Sequence, residues 1–243
     1  MATQVLTNAK VWLDSYDLSS DLNAVAIEQG ADQQEATTFG NDTKISKPGL
    51  KTVKASLSGL INLGPLLSEE FLSSKIALAD VPLSVGPTTG LEGEPGFSFL
   101  SSIASFTPVQ GSVGDLMKFK LDATATSAEL VRGTIVHNGS RTTTGNGTVF
   151  NIGAVAAGQA LFAVLHVPAI SGGPSVTIKV QSAPTVGFAA PTDRITFTAV
   201  TTKGSQWAVP VAGAITDAFW RATWTFTGGS SPSITFIVNV AIQ

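Results

Sequence analysis

Short runs of alternating apolar and polar residues, separated by clusters of Gly, Pro, Asn or Ser, make up most of this chain. Such period-two runs are typical of β-strands that bury one face, and the clusters are typical of turns. The pattern therefore predicts an almost entirely β protein. The predicted strands are Lys10–Leu18, Asn23–Gln29, Lys51–Leu63, Val81–Val85, Gly96–Phe106, Leu116–Thr124, Gly133–His137, Thr148–Ile152, Ala160–Val167, Ser175–Gln181, Ile195–Ala199, Gln206–Val211, Ala218–Thr227 and Ile234–Ile242.

One segment, Pro65–Ala77, departs from the strand pattern. Glu69 and Glu70 fall in its first turns, where carboxylates stabilise the helix dipole, and proline is favoured at a helix start. Apolar residues recur at roughly helical spacing, so the segment is predicted to form a helix that packs on a sheet. The residues predicted to make this packing are Leu67, Phe71 and Ile76.

Composition narrows the classes of function. Only 13% of the 243 residues are charged, against about 25% in an average soluble protein. This profile suits a β protein whose surface is partly used in contacts. The net charge of −3 excludes a bulk electrostatic attraction to nucleic acid. The chain has no cysteine, which excludes disulfides, thiolate nucleophiles and cysteine-type zinc sites.

The charge is distributed unevenly along the chain. Met1–Gly133 holds 9 basic and 15 acidic residues, whereas Thr134–Gln243 holds 5 basic and 2 acidic residues. Such a break predicts two domains, residues 1–133 and 134–243. The regular strand spacing of the second part predicts a β-sandwich, either jelly-roll-like or immunoglobulin-like. The first residues lack a basic stretch followed by an apolar one, so we expect a protein kept in a cytoplasm-like compartment, without membrane binding of its own.

Candidate catalytic and metal-binding residues are few. His166 shares a strand face with apolar residues and is expected to be partly buried, whereas His137 precedes an Asn-Gly turn signal and is expected at the surface. Asp14, Asp17 and Asp21 lack the glycine and terminal glutamate of a calcium loop. No nucleophile–base pair or nucleotide-binding motif is present. We expect no enzymatic activity, no metal and no cofactor.

Three tryptophans lie close together in the second part of the chain. Trp220 and Trp224 fall on one side of a predicted strand, and Trp207 is a candidate to join them. The pattern favours a sandwich core. The alternative is an exposed aromatic platform for a sugar ring or a protein partner.

The segment Thr37–Lys51, TTFGNDTKISKPGLK, is too long and too charged for a simple hairpin turn. Together with the preceding residues it resembles the major tail (tail tube) proteins of tailed bacteriophages. The resemblance covers about Met1 to Gly133 and rests on four short matches: Asp17-Leu18-Ser19, Asp21-Leu22-Asn23, Thr38-Phe39-Gly40 and Pro48-Gly49-Leu50-Lys51. The second part looks like an additional β domain attached to some phage tail proteins.

The resemblance implies an N-terminal tail-tube-like β-sandwich or barrel with one helix. It also implies a subunit that forms rings, usually of six copies, stacked into a hollow tube through which DNA passes. In this interpretation Thr37–Lys51 is an arm that stacks one ring on the next, and Pro48 and Gly49 end it; the alternative is a flexible loop. The residues predicted to make the stacking contact are Phe39, Asp42, Lys44, Ile45, Lys47 and Pro48.

A tube that conducts DNA must not retain it, and negative charge in the lumen would repel phosphates. The candidate lumen carboxylates are Asp14, Asp17, Glu28, Asp32 and Glu35. The expected partners are further copies of the chain, other tail proteins and passing DNA, in a virion tail assembled in the host cytoplasm. Two alternatives stay open, a minor tail or adaptor protein and a host-surface carbohydrate-binding module that uses the tryptophans.

Overall fold

The chain is almost entirely β-structure in the computed structural model, which describes residues 6–65, 67–126 and 129–243. The all-β prediction is confirmed, and the described residues contain one α-helix. No helix in this part of the chain has the length and apolar character needed to cross a membrane. The elements are β1 (Lys10–Leu13), β2 (Tyr16–Asp17), β3 (Leu22–Glu35), β4 (Ser46–Leu60), α1 (Ser68–Ser74), β5 (Val81–Gly86), β6 (Pro95–Gln110), β7 (Lys118–Ala125), β8 (Val131–Arg141), β9 (Gly145–Asn146), β10 (Phe150–Asn151), β11 (Ala160–Ser171), β12 (Ser175–Ala183), β13 (Thr192–Thr196), β14 (Gly204–Trp207), β15 (Val211–Ala212), β16 (Phe219–Thr227) and β17 (Ser233–Ile242).

The chain forms two compact units, each assembled from separate stretches of sequence. Unit 1 comprises Met1–Ser20, Val81–Phe99 and Val131–Gln243, and unit 2 comprises Asp21–Asp80 and Leu100–Leu130. The predicted division between residues 133 and 134 falls inside β8 and is not the boundary between these units. The division into a tail-tube-like domain over residues 1–133 and a β-sandwich domain over residues 134–243 stays a prediction.

Unit 1 is a β-sandwich with an apolar core between its two sheets and a smaller buried cluster of Trp12, Ile135 and Ile237. In one sheet the strands follow the order β14-β11-β17-β8-β6-β5-β1-β2; in the other the order is β10-β16-β12-β13. Leu161, Ala163 and Leu165 of β11 are buried in the same cluster as Ile178 and Val180 of β12. Every second residue of these strands therefore points into the space between the two sheets, which agrees with the period of two in the sequence. Its jelly-roll-like or immunoglobulin-like character stays a prediction.

Unit 2 is built on an antiparallel sheet in the order β3-β4-β7-β6, in which β6 contributes its residues after Phe99. Val53, Ala55 and Leu57 of β4 are buried, and Leu72 of α1 is completely buried. The alternate residues of β4 and β7 are polar or partly exposed. The sheet therefore has one core face and one polar face.

The helix is shorter than the predicted Pro65–Ala77. It runs over Ser68–Ser74, and residue 66 of the predicted span lies outside the described residues. Leu67 at the N-cap has an extended backbone and no side-chain oxygen to accept a helical N–H. Ala77 adopts a positive φ of 62°, which an α-helix cannot accommodate. The extended backbone of Leu67 precedes the first turn of the helix, and the positive φ of Ala77 excludes the predicted helical end at that residue.

Candidate assembly surface

The feature of unit 2 that corresponds to the predicted arm is the end of a long β-hairpin. β3 and β4 pair from Leu22 opposite Gly59 out to Glu35 opposite Ser46. β7 pairs with β4 only from Lys54 onward, so the last part of the hairpin is two-stranded. We call this two-stranded part, Ala31–Glu35 with Ser46–Lys51, the outer ribbon. Every residue of the outer ribbon is exposed, so neither of its faces is covered within the subunit.

The hairpin tip, residues 36–45, closes the outer ribbon. Its fold is fixed locally, because the Ala36 N–H donates to the Ile45 carbonyl and the Ile45 N–H donates to the Thr37 hydroxyl. The Asn41 side-chain amide donates to the Thr38 hydroxyl at 2.9 Å. Phe39 is fully exposed at this tip. The tip is thus a shaped loop that presents an aromatic ring to solvent.

Two further apolar side chains are exposed close to the tip. Ile45 is 40% exposed, and Leu50 in the outer ribbon is 81% exposed. Three large apolar side chains are therefore exposed on the outer ribbon and its tip, which makes this segment a candidate contact surface. Sequence reasoning singled out Phe39 and Ile45 but missed Leu50, although the alternation of β4 breaks there.

Charged residues surround these apolar side chains. Lys44 Nζ lies 3.6 Å from a Glu35 carboxylate oxygen, and both side chains are largely exposed, so this pair contributes little to stability. Lys51 Nζ lies 2.8 Å from Glu129 of the same unit. Lys47 and Asp42 are also exposed. Lys44 and Lys47 can therefore turn to a charged partner without disturbing the fold.

The structure corrects the predicted role of Pro48 and Gly49. They do not end the arm, because both lie within β4, where Pro48 is opposite Gln33 of β3. Among the described residues β4 has only β3 as a neighbour at this position, so Pro48 lies in an edge region of the sheet, where proline is tolerated. The tip and outer ribbon together replace the separate arm that the sequence predicted.

The five candidate lumen carboxylates are divided between the units. Asp14 and Asp17 lie in unit 1, where the Ser205 hydroxyl donates to Asp14 at 2.6 Å and the Ser19 N–H donates to Asp17 at 2.9 Å. Glu28, Asp32 and Glu35 lie along β3 in unit 2 and are exposed. The structure therefore brings three of the five onto one strand. Their orientation toward a lumen stays a prediction.

The polar face of the unit 2 sheet carries charges of both signs. Asp122 accepts hydrogen bonds from Ser56 at 2.8 Å and Ser105 at 3.1 Å, and lies 3.0 Å from Lys120. The Ser56 hydroxyl and Lys120 together hold the pKa of Asp122 below its ordinary value. Glu28 pairs with Lys54 across β3 and β4. This face is therefore a mixed-charge surface rather than a uniformly acidic one.

The aromatic platform proposed from the sequence is not present. Trp220 is 0% exposed and Trp224 is 3% exposed, both within the sandwich core of unit 1. Their indole N–H groups donate to the carbonyls of Gly153 and Thr143, each at 2.8 Å. Trp207 is half-buried, with its ring centroid 6.4 Å from that of Phe162. The core alternative is therefore correct for Trp220 and Trp224. Burial of a large aromatic ring contributes strongly to the stability of a core.

The histidines are both buried, which corrects the expected surface position of His137. Its ring is completely buried against Phe236, at a centroid distance of 4.2 Å, and Nδ1 lies 2.6 Å from Glu92. Burial lowers the pKa of His137, and the Glu92 carboxylate opposes this shift. The predicted turn at Asn138-Gly139 does not form, because β8 continues through both residues and Asn138 pairs with Ile237 of β17.

Asp14, Asp17 and Asp21 do not form a metal site in the described part of the chain. Within the described ranges no group of three or more His, Cys, Asp or Glu side chains is placed to hold a metal ion. Glu94 instead organises its own loop, accepting hydrogen bonds from Thr88, Thr89 and Leu91. Glu92 accepts a hydrogen bond from Thr148 at 2.8 Å. These contacts secure the loop before β6.

No protein-family model matches the sequence, and no curated protein matches it. Solved structures that resemble the chain are components of tails, injection systems and a phage hub. One belongs to the virion of a native gene transfer agent particle, with 15% identity and a TM-score of 0.39, and the match covers 53% of this chain and 97% of the other. Another belongs to the sheath/tube terminator of the extracellular contractile injection system PVC, with 12% identity and a TM-score of 0.43, covering 54% and 97%.

A third resembling structure extends over both parts of this chain. It is the Dit protein of phage SPP1, described as a hub adsorption apparatus in phages that infect Gram-positive bacteria. Here the identity is 13%, the TM-score is 0.34, and the match covers 97% of this chain and 99% of the other.

Proposed function

We propose that this protein is a structural subunit of a phage tail, which self-assembles into stacked rings, six copies to a ring, that form the tail tube. The observation that carries the proposal is the outer ribbon with its tip, an exposed segment in unit 2 with apolar side chains and no core of its own. A two-stranded ribbon by itself is only marginally stable in water. Contact with another subunit would give it the burial that it lacks within one chain.

The edge of the unit 2 sheet supports assembly around a ring. Among the described residues, β3 pairs only with β4, which leaves the outer side of a 14-residue strand without a neighbour. An open strand of this length is a template for pairing with another chain. Pairing between neighbouring copies would satisfy its backbone groups and join their sheets into a closed wall.

The proposed passage of DNA is supported by the polar face of the same sheet. Serine and threonine side chains lie there beside charges of both signs, such as Lys54 and Asp122. A mixed-charge surface gives phosphates little net attraction, so a duplex could slide along it. Glu28, Asp32 and Glu35, together with Asp14 and Asp17, are the carboxylates that we propose line the lumen.

In this proposal the protein acts without a cofactor and without catalysis, in the tail of a virion assembled in the host cytoplasm. Its partners are further copies of itself and other tail proteins, and it does not bind membranes by itself. The carbohydrate-binding alternative has lost its basis, because Trp220 and Trp224 are buried.

The test is electron microscopy of the purified full chain over a range of concentrations, with the mass measured by light scattering on the same samples. We expect rings or hollow tubes of constant width and a mass that rises in steps of one ring. Rings that never stack would identify an adaptor rather than a tube protein. A monomer at every concentration would contradict the proposal.

A further inference from the structure

A cleft of about 220 Å³ opens to solvent in unit 1, where β13 and β14 form the ends of the two sheets. It is lined by residues 199–206, along which the chain passes from β13 into β14, and by Leu165 and Val167 of β11. The share of one water molecule in the liquid is about 30 Å³, so the cleft has room for roughly seven waters or one sugar-sized ring. The proposed assembly gives these residues no role.

The loop over residues 199–205 is held in a defined shape. The Thr198 N–H donates to Gln206 Oε1, and Gln206 Nε2 donates to the Thr198 carbonyl, each at 2.8 Å. The N–H groups of Val176 and Val200 donate to each other's carbonyls at 2.9 and 2.8 Å, and Val200 is buried in the sandwich core. Because the loop is fixed by contacts within the subunit, a ligand would not need to order it.

The loop also carries hydrogen-bond donors that are free for a ligand. The N–H groups of Thr201, Thr202 and Lys203 donate to no acceptor in the described part of the chain, and neither do the two threonine hydroxyls. All three residues are exposed. Backbone N–H groups, hydroxyls and an ammonium group form a donor-rich surface, which favours a ligand with many oxygen acceptors. Such a ligand can use these donors without breaking a contact within the subunit.

Lys203 is the one charged residue among those that line the cleft. It makes no ion pair with any residue that the structure describes. Two other basic residues of the sandwich are paired, since Lys179 Nζ lies 2.6 Å from Asp193 and Arg194 Nη2 lies 3.0 Å from Asp217. The ammonium group of Lys203 is therefore available to a carboxylate or phosphate of a ligand.

A carboxylate contacts one residue of the cleft, but from the other side of β14. The Ser205 hydroxyl donates to Asp14 at 2.6 Å. Ser205 pairs with His166, whose ring also contacts Asp14, whereas Gln206 pairs with Leu165, which lines the cleft. Since side chains alternate between the two faces of a strand, β14 separates Asp14 from the cleft. The Ser205 hydroxyl is occupied by this contact and is not counted among the donors for a ligand.

We infer that the cleft binds an acidic sugar group, a single polyhydroxylated ring that carries one carboxylate or phosphate. The anion lies against Lys203, and the ring oxygens accept from the donors of Thr201 and Thr202. An unpaired cation selects an anion, while the remaining donors and the volume select a compact, oxygen-rich body. The inference goes beyond the proposed function, because it gives unit 1 a ligand whether or not the chain assembles. The site is also separate from Trp220 and Trp224, which lie in the core.

Saturation-transfer NMR on the full chain tests the inference, because it observes the ligand and tolerates protein assemblies of any size. The probes are glucuronate, glucose 6-phosphate and glucose, which has a hydroxymethyl group where glucuronate has its carboxylate. Single sugars bind weakly, so we expect dissociation constants on the order of 1 mM for the two acidic probes. Glucose should bind at least about tenfold more weakly, because it cannot pair with Lys203.

Three variants locate the site. Lys203→Gln removes the charge at an exposed position and should weaken the binding of both acidic probes about tenfold. Lys203→Arg keeps the charge and should retain most of the affinity. Lys179→Gln is the matched control, since it removes a lysine of the same unit outside the cleft and should leave the affinity unchanged. Circular dichroism checks that each variant is folded.

Competition with inorganic phosphate separates a sugar site from a site for a bare anion. Phosphate should displace the acidic probes only at concentrations at least about tenfold above their dissociation constants, because it lacks the ring. Displacement at equal concentrations would overturn the assignment to a sugar. Equal binding of glucose and glucuronate would overturn the role of Lys203, as would equal losses of affinity in Lys203→Gln and Lys179→Gln. The absence of saturation transfer to both acidic probes would overturn the site itself, whereas transfer to either one, lost in Lys203→Gln, would support it.

Discussion

His166 is a buried base at the centre of a hydrogen-bond chain in unit 1. Its Nδ1 lies 2.8 Å from the Asp14 carbonyl oxygen, which can only accept, so Nδ1 carries the proton. Nε2, 2.8 Å from the Ser84 hydroxyl, must then accept. Ser84 in turn lies 2.6 Å from the Ser98 hydroxyl, to which the Asn239 amide donates at 2.9 Å. The direction of every hydrogen bond in this chain follows from one carbonyl.

Protonation of His166 is therefore unfavourable in the folded protein. Burial lowers its pKa from 6.5 to about 4, although the Asp14 carbonyl opposes the shift. As the pH falls through 6.5, His166 takes up a proton in the unfolded chain but stays neutral in the folded chain until about pH 4. The stability that the folded protein gains from neutral His166 is therefore complete above pH 6.5 and is lost as the pH falls to about 4. The free energy of unfolding decreases by about 3 kcal/mol over this range.

We predict that the stability difference between the wild type and His166→Asn narrows by about 2 to 3 kcal/mol between pH 7 and pH 4. Urea unfolding of dilute protein at several pH values measures it. His137 and the carboxylates are present in both proteins, so their contributions to the free energy of unfolding cancel in the difference. A difference that stays constant over this range would show that His166 does not titrate on unfolding.

Gly59 shows how close two backbones come in unit 2. A Cβ atom at this position would lie 1.9 Å from the Asp21 carbonyl oxygen, which accepts the Leu60 N–H at 2.7 Å. An alanine must therefore push β3 and β4 apart where both are fixed. We predict that Gly59→Ala lowers the free energy of unfolding by about 2 to 4 kcal/mol.

Thermal and urea unfolding measure this loss, with Gly30→Ala as the matched control in β3. A Cβ at residue 30 meets nothing nearer than the Thr52 hydroxyl at 3.9 Å. We expect the control to change stability by less than about 1 kcal/mol. Equal losses of unfolding free energy in the two variants would mean that β3 and β4 can separate at Gly59 at little cost, which would contradict the prediction.

At the scale of the element, the hairpin has two parts with different roles. Its inner part is joined to β7 and buries Val53, Ala55 and Leu57. The outer ribbon and tip contain no buried residue, so core packing within the subunit does not restrict which side chains they carry. Substitutions there should change assembly and leave the subunit stable.

We predict that Lys44→Glu combined with Lys47→Glu leaves the folded subunit intact but impairs stacking. The two lysines contribute little to the stability of the subunit, and their replacement by glutamate would reverse the charge of the surface proposed to make the stacking contact. Circular dichroism checks the fold, and microscopy with sedimentation checks the tubes at low salt, where exposed charges act most strongly.

Two control variants accompany this prediction. Lys44→Arg with Lys47→Arg keeps the charge and should assemble normally. Lys203→Glu, at an exposed position in unit 1, lowers the net charge away from the tip and should also assemble. Tubes of normal length from the double glutamate variant would refute a role for these lysines in stacking.

At the scale of the whole molecule, the features proposed to make the assembly contacts and the core of the sandwich lie in different units. The long hairpin and the open edge of β3 belong to unit 2, whereas the apolar cluster between the two sheets of the sandwich belongs to unit 1. Each unit is completed by stretches that are distant in sequence. Interruption of unit 2 by residues 81–99 could not be anticipated, because strand periodicity does not indicate which strands pair.

The sequence by itself determined the β character, most strand positions and the unusual nature of Thr37–Lys51, because these follow from local alternation and local charge. It favoured a core position for Trp220 and Trp224, which the structure confirms, but it placed His137 at the surface. The burial of His137 depends on the pairing of β8 with β17, which joins residues 93 to 108 positions apart in the sequence. Alternation is a local property of the chain, whereas burial and exposure are decided by long-range neighbours.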